Sequence, residues 1–150
     1  MRAVVQRVSM ATVECESGHA DKTGKGLLIF LGIEEHDSTE DIEWLASKIS
    51  HLRIFNDANG IMNLSVEEVK GEIMVISQFT LHASTKKGNR PSYIKAAPAS
   101  LAIPVYNKFI EYIGKFSASV VKHGIFGDHM EVSLVNDGPV TIIIDSKNKE

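Results

Sequence analysis

The chain has 150 residues, 43% hydrophobic and 23% charged, with a formal net charge of −3. That is long enough for a single domain over 1–150 with a proper core, in the ordinary range for a soluble globular protein. A lone cysteine, Cys15, excludes an internal disulfide and fits a reducing cytoplasmic setting, and the longest apolar run, Leu27 to Ile33, falls far short of the ~20 residues that span a bilayer.

The start, Met1 to Val8, alternates polar and apolar residues and lacks the apolar region of a secretory leader, so none is expected. Residues 2–8 and 10–15 read as two half-buried strands. A loop, SGHADKTGKG, leads into Gly26–Ile33, whose unbroken apolar character predicts a buried central strand. Ser38-Thr-Glu-Asp41 has the form of a capping box, in which a serine hydroxyl and an acid three residues on satisfy the free amides of a helix start. Ile42, Leu45, Ile49 and Leu52 follow at helical spacing and predict core packing. Asn56–Gly60 is a turn, and Glu72–Leu81 reads as a strand whose apolar first half gives way to the polar SQFTL.

A long polar loop, HASTKKGNRPS, comes next. Pro98 suits the first turn of a second helix with Tyr106, Phe109, Ile110 and Ile113 on its apolar face. Pro104 then requires that helix either to begin near Ile103 or to kink. Residues 128–135 and 140–145 read as two final strands. Asn136-Asp137-Gly138-Pro139 between them has the composition of a turn, and the tail after Ile144 is expected to fray. The sum is an α+β domain of roughly seven strands and two main helices, its strand-rich, barrel-like core mostly antiparallel. Exposed sheet edges make a dimer plausible.

The net charge argues against a nucleic-acid partner, but its distribution does not. From Ile73 to Ile110 there is no Asp or Glu, while Lys86, Lys87, Arg90, Lys95 and Lys108 fall inside that window. Local sign matters more than total charge for attracting an anion. The familiar hydrolase, metalloprotease, Walker and dinucleotide signatures are absent. The six histidines are scattered without a third ligand at zinc spacing, so no metal and no cofactor are expected. On an extended strand Ser77, Phe79 and Leu81 would share one face, and Gln78 and Thr80 the other. A strand end that turns polar beside a basic loop is a natural ligand site. Thr80 or Ser77 could act as a nucleophile only with a base alongside, and none is identifiable.

Taken in order, VVQRVSMATV, GLLIFLGI, ISQFTL, KKGNRPSY and GIFGDHMEVSLVNDGPVTI resemble the D-aminoacyl-tRNA deacylase (D-tyrosyl-tRNA(Tyr) deacylase) family, from Met1 to about Asp145. The two motifs that define that family, Ser77–Leu81 and Gly138-Pro139, are intact, whereas Pro104 and His82 are unusual for it. The resemblance implies a cytoplasmic homodimer that hydrolyses the ester of D-aminoacyl-tRNAs. It also implies action on achiral glycyl-tRNA, including glycine mischarged on tRNA(Ala). Ser77, Gln78, Phe79 and Thr80 would form the catalytic turn. Gly138 and Pro139, joined by a cis bond, would reach into the partner subunit's pocket and reject L side chains with their carbonyls. Phe126 and Met130 would line the pocket and Arg7 would brace the Gly-Pro segment. Lys86, Lys87 and Arg90 would meet phosphates of the acceptor end. The family's chemistry leans on the neighbouring 2′-hydroxyl of the RNA, with amides near Phe79 and Thr80 holding the carbonyl oxygen. RNA is the implied partner, with no DNA and no membrane. The rival readings are a non-catalytic RNA-binding module and an esterase with a threonine nucleophile.

Overall fold

The computed structural model describes residues 1–149 and contains eight strands and two α-helices: β1 (Arg2–Cys15), β2 (Ala20–Thr23), β3 (Gly26–Gly32), α1 (Thr39–Ser50), β4 (Phe55–Asn56), β5 (Met62–Leu64), β6 (Glu72–Ser77), α2 (Ala99–Phe116), β7 (Val121–His123) and β8 (Met130–Asp145). A short 3-10 turn, Phe79–His82, follows β6. Six strands form one sheet in the order β2-β1-β3-β6-β7, with β8 on the other side of β1, while β4 and β5 make a separate ribbon. The path is not a simple meander. β1 is antiparallel to β2, β3 and β8, but β3–β6 and β6–β7 are parallel. Parallel neighbours need a crossover, and α1 and α2 lie in the two crossovers. The sheet curls until its ends almost meet. Lys122 on β7 pairs with Asp21 on β2 at 3.2 Å, and the His19 and His123 rings stack with centroids 6.1 Å apart. The outcome is a nearly closed, barrel-like sheet.

β3 runs through the centre, which explains its unbroken apolar sequence. Leu27, Ile29 and Leu31 face the larger core, against Ile42, Leu45 and Ile49 of α1 and Tyr106, Phe109 and Ile113 of α2. Leu28 faces a second cluster with Val8, Ala11, Val13, Met74 and Ile76. Each such side chain contributes about 1.5–3 kcal/mol when fully buried. The capping box is present: Ser38 Oγ accepts from the Asp41 N–H, and the Asp41 carboxylate accepts from the Ser38 N–H at 2.8 Å. The turn at residues 56–60 is also present, with the Asp57 carboxylate accepting from the amides of Asn59 and Ile61.

Four expectations need correcting. The first two strands are one, because Ser9 is a bulge that shifts the register against β8 between Val8 and Met10. Such a bulge switches the face that successive side chains meet: before it Ala3 and Val5 pack in the larger core, and after it Ala11 and Val13 join Val8 in the second cluster. The last two strands are likewise one. Both halves of β8 pair antiparallel with β1, so Asn136–Pro139 does not turn the chain back. α2 begins at Ala99 and runs through Pro104, which is exposed, as is Ser100, the residue whose i+4 hydrogen bond a proline at 104 cannot donate. Finally, the described tail is anchored, with Lys149 Nζ 4.7 Å from the centroid of the Trp44 ring. Ser146 Oγ donates to Asp41 at 2.7 Å and Lys147 Nζ to Asp41 at 2.6 Å. Burial works against charge on Asp41, but hydrogen bonds from Lys147, Ser38 and Ser146 outweigh it and hold the carboxyl far below its ordinary range. Glu150 of that tail lies outside the described residues.

α2 fixes two sheet segments at once through Tyr106. Its buried hydroxyl reaches the Val75 carbonyl at 2.9 Å and the Gly124 carbonyl at 3.2 Å. Both carbonyls keep another donor, Gly124 N–H for Val75 and His123 Nδ1 for Gly124. Tyr106→Phe therefore costs only ~1 kcal/mol, seen as a drop in Tm of a few degrees in a thermal melt. A loss above about 3 kcal/mol would show that the hydroxyl does more than tie these strands.

Candidate functional site

The site grows from the carboxyl end of β6, where its partner strand stops. The Gln78 N–H makes the last ladder bond, to the Leu31 carbonyl at 2.8 Å, and β3 ends at Gly32. With no ladder beyond it, the chain leaves extended geometry and winds into the Phe79–His82 turn. The expected alternation of SQFTL side chains thus fails after Ser77. Gly32 lets the turn settle close: a Cβ there would sit 3.0 Å from Leu81 Cβ, 3.0 Å from His82 Cδ2 and 3.1 Å from the Gln78 carbonyl. His82 is buried, and its Nε2 has no hydrogen-bond partner among the described residues.

Ser77, Gln78 and Phe79 line one wall of a cavity of about 240 Å³, with Ile76 at its base and Phe126, Gly127, Asp128, His129, Met130 and Val132 opposite. Five residues singled out in the sequence thereby meet: Ser77, Gln78, Phe79, Phe126 and Met130. Phe126 is set by Tyr106, whose ring lies 5.8 Å away. Gly124 leaves room for Met130, since a Cβ there would come within 2.4 Å of its sulfur. Thr80 does not line this cavity. It borders a larger groove of about 900 Å³ with Leu81, Arg2, Val4, Trp44 and Ile143. Gln78 Nε2 donates to Thr80 Oγ1 across the turn. An amide is no base, so among the described residues Thr80 has no partner able to take its proton. Leu81 N–H donates to the Gln78 carbonyl at 3.3 Å, and the amides of Phe79 and Thr80 are the leading donors of the turn, which have no partner within it.

Asp128 is the carboxylate on the cavity wall. Hydrogen bonds from the Ser17 hydroxyl, at 2.5 Å, and from the Ser17 and His129 amides hold it below the usual carboxylate range. It stays ionised at neutral pH and is a weak proton acceptor.

Gly138 and Pro139 lie elsewhere. Gln6 pairs with Thr141 and Val8 with Asn136, so one β1 residue, Arg7, faces residues 137–140 of β8. The surplus is pushed out of the sheet, with Gly138 and Pro139 exposed and the bond between them cis. Arg7 is only 8% exposed. Its Nε donates to the Asp137 carbonyl at 3.0 Å and pairs with the Asp137 carboxylate at 3.2 Å, and Nη1 donates to the Ile54 carbonyl at 2.6 Å. Asn136, overlooked in the sequence, closes the base of the protrusion: its Nδ2 donates to the carbonyls of Arg7 at 3.0 Å and Val140 at 2.9 Å. Neither Gly138 nor Pro139 lines the cavity of their own chain. Lys86, Lys87 and Arg90 are exposed on the loop that follows the 3-10 turn. Tyr93, on the same loop and also overlooked, contacts Phe79 edge-on with ring centroids 5.0 Å apart. An aromatic directly behind a basic run was the signal that could have marked it.

Residues 4–145 match the family described as D-Tyr-tRNA(Tyr) deacylase. Relatives named D-aminoacyl-tRNA deacylase from Parabacteroides distasonis and Flavobacterium psychrophilum are 60% and 59% identical, each alignment covering all of both chains. A solved structure described as c-Myc DNA Unwinding Element Binding Protein is 39% identical and superimposes with a TM-score of 0.90, over 97% of this chain and 98% of that one. Another, described as a probable eukaryotic D-amino acid tRNA deacylase, shares the fold at 15% identity and a TM-score of 0.80, over 95% of this chain and 97% of that one.

Because the 3-10 turn rests on Gly32, Gly32→Ala should displace it by a few tenths of an ångström while leaving the core intact. Overpacking of this kind costs about 1–2 kcal/mol, whereas misplacing a positioning element costs tenfold or more in rate. The expected result is a modest fall in Tm with at least a tenfold loss of the deacylation after which these relatives are named, measured as kcat on one aminoacyl-tRNA.

Proposed function

The chain belongs to the D-Tyr-tRNA(Tyr) deacylase family and is a hydrolase acting on D-aminoacyl-tRNA, and on that premise we propose how it judges handedness. The ester is held at the Ser77–Thr80 turn of one protomer, and Gly138-Pro139 of a second protomer closes over its chiral centre. The observation that carries this reading is the separation of the two motifs. The turn borders a cavity, while Gly138 and Pro139 protrude from β8 and line no part of it. A segment held out by Arg7 and Asn136, serving no pocket of its own chain, is suited to serve another's. Among the described residues β8 has β1 as its one neighbour in the sheet, so its outer edge is open to pairing across a two-fold axis.

In this arrangement the carbonyls of Gly138 and Pro139 form a wall. An L side chain collides with it, a D side chain points away, and glycine passes because it has nothing to reject. Glycyl-tRNA, including glycine on tRNA(Ala), is therefore a substrate. The ester is intrinsically labile, and the adjacent 2′-hydroxyl assists attack by water. The protein supplies orientation, which lowers a barrier by several kcal/mol, and the amides of Phe79 and Thr80 meet the developing oxyanion. The lack of a base beside Thr80 supports this over a threonine nucleophile. Phe126 and Met130 hold the terminal nucleoside. Lys86, Lys87 and Arg90 contact phosphates, which positions the strand without reading its sequence. Each protomer acts as one domain, and its place of action is the cytoplasm, where aminoacyl-tRNA is used.

Incubated with D-tyrosyl-tRNA and L-tyrosyl-tRNA, the protein should free D-tyrosine and leave the L ester intact. Release of neither would leave only a binder, and equal release of both would remove the chiral wall. Pro139→Ala should raise hydrolysis of the L ester with little change in Tm, because an exposed residue outside the core moves stability by about 0.5 kcal/mol or less. On D-aminoacyl-tRNA, log(kcat/KM) should fall linearly with log salt, by about 0.7 per neutralised phosphate of a single strand. Replacing Lys86, Lys87 and Arg90 together with alanine should flatten that line, and a salt-independent wild type would contradict their assignment.

A further inference from the structure

The loop bearing the three cations is closed at its base. Ser84 N–H donates to the Ser92 carbonyl at 2.8 Å, and Ser92 N–H returns to the Ser84 carbonyl at 2.9 Å. Between them Lys86, Lys87 and Arg90 lie exposed, and Gly88 adopts the positive φ, +70°, that lets the segment reverse. The result is a short finger with a cationic tip and no carboxylate along it.

Tyr93 leaves the base of this finger directly. Its ring meets Phe79 edge-on, at an interplanar angle of 74°. The two rings remain 39% and 53% exposed. Neither belongs to either hydrophobic cluster, so core packing does not explain them. Phe79 also borders the cavity. From the cavity outward, the surface therefore presents Phe79, then Tyr93, then the cations of the finger. Aromatic faces beside positive side chains are the arrangement that unpaired RNA requires, because its bases stack on rings while its phosphates follow the charges.

We propose that Tyr93 stacks a nucleobase of the unpaired 3′ end of the tRNA, the base preceding the terminal nucleoside. The inference rests on the reading given above, in which the cavity beside Phe79 takes that terminal nucleoside. The edge-on contact with Phe79 then fixes the spacing between the two nucleosides. Tyr93 acts on binding of the strand and touches no reacting atom. Its ring is what matters; its hydroxyl is dispensable.

The test compares D-tyrosyl-tRNA with the D-tyrosyl ester of adenosine alone, a substrate that lacks the preceding base. Stacking on one aromatic ring is worth enough that Tyr93→Ala should raise KM for the tRNA about tenfold relative to KM for the nucleoside ester, with kcat on the tRNA little changed. Tyr93→Phe should behave as the wild type, and Tyr93→Leu, which keeps bulk without a π face, should behave as the alanine variant. Equal losses on both substrates would make Tyr93 a support for Phe79 and overturn the proposal. So would an unchanged KM for the tRNA. Should the alanine variant melt at a markedly lower temperature, the phenylalanine and leucine variants decide between these outcomes. A wild-type protein that hydrolyses neither substrate would instead sink the functional reading on which the proposal stands.

Discussion

The architecture depends on the pairing of β1 with β8 along almost their whole lengths. The two strands hold two long registers, Arg2–Gln6 against Thr141–Asp145 and Met10–Cys15 against Met130–Val135, with the single Val8–Asn136 pair between them. Between those registers β8 carries more residues than β1 can face. A sheet cannot absorb that surplus in plane, so residues 137–140 must leave it, and they leave opposite Arg7. A buried guanidinium with one hand on the Ile54 carbonyl and another on the Asp137 carbonyl then fixes where they emerge. Gly138 suits the position because its φ is +143°, a conformation that side chains disfavour, and an added Cβ would meet Val140 at 2.7 Å.

The cavity comes from the parallel side of the sheet. β6 ends in polar residues at the point where β3 runs out, and the chain curls over Gly32 instead of continuing. The facing wall comes from the loop between β7 and β8, and Tyr106 ties both walls to one helix. The cavity is thus a consequence of two strands ending together and of one buried hydroxyl that spans them. Chemistry follows from what that geometry does not contain. Thr80 has an amide for a partner, and Asp128 is kept ionised by Ser17. A turn whose threonine has an amide and not a base beside it is suited to the proposed role of holding an ester that brings its own reactivity.

Much of this could be read from the residues themselves. The capping box at Ser38, the unbroken apolar β3 and the apolar face of α2 each carry a local signature, and each element formed where its signature lies. What could not be read locally was continuity. Ser9 breaks the alternation of β1, and a bulge and a strand boundary leave the same mark in a sequence. Asn136–Pro139 has the composition of a turn, and only the partner strand reveals that the chain does not reverse there. The fate of SQFTL after Ser77 was equally hidden, because it depends on where a strand distant in sequence stops. In the site, the resemblance supplied Arg7, Phe126 and Met130, whose own residue types are ambiguous. Asn136 and Tyr93 were passed over because their contacts, to Arg7 and Phe79, cross between segments.

The protrusion at Gly138-Pro139 has a mechanical consequence. Most exposed projections on proteins are tips of loops, whose height and direction wander with the loop. This one is clamped on both flanks by a single neighbouring strand, so the sheet serves as its ruler. Residues could be gained or lost between Asn136 and Thr141 without disturbing the ladder on either side. The height of the projection is therefore an adjustable dimension of the molecule, separable from the stability of the framework that carries it.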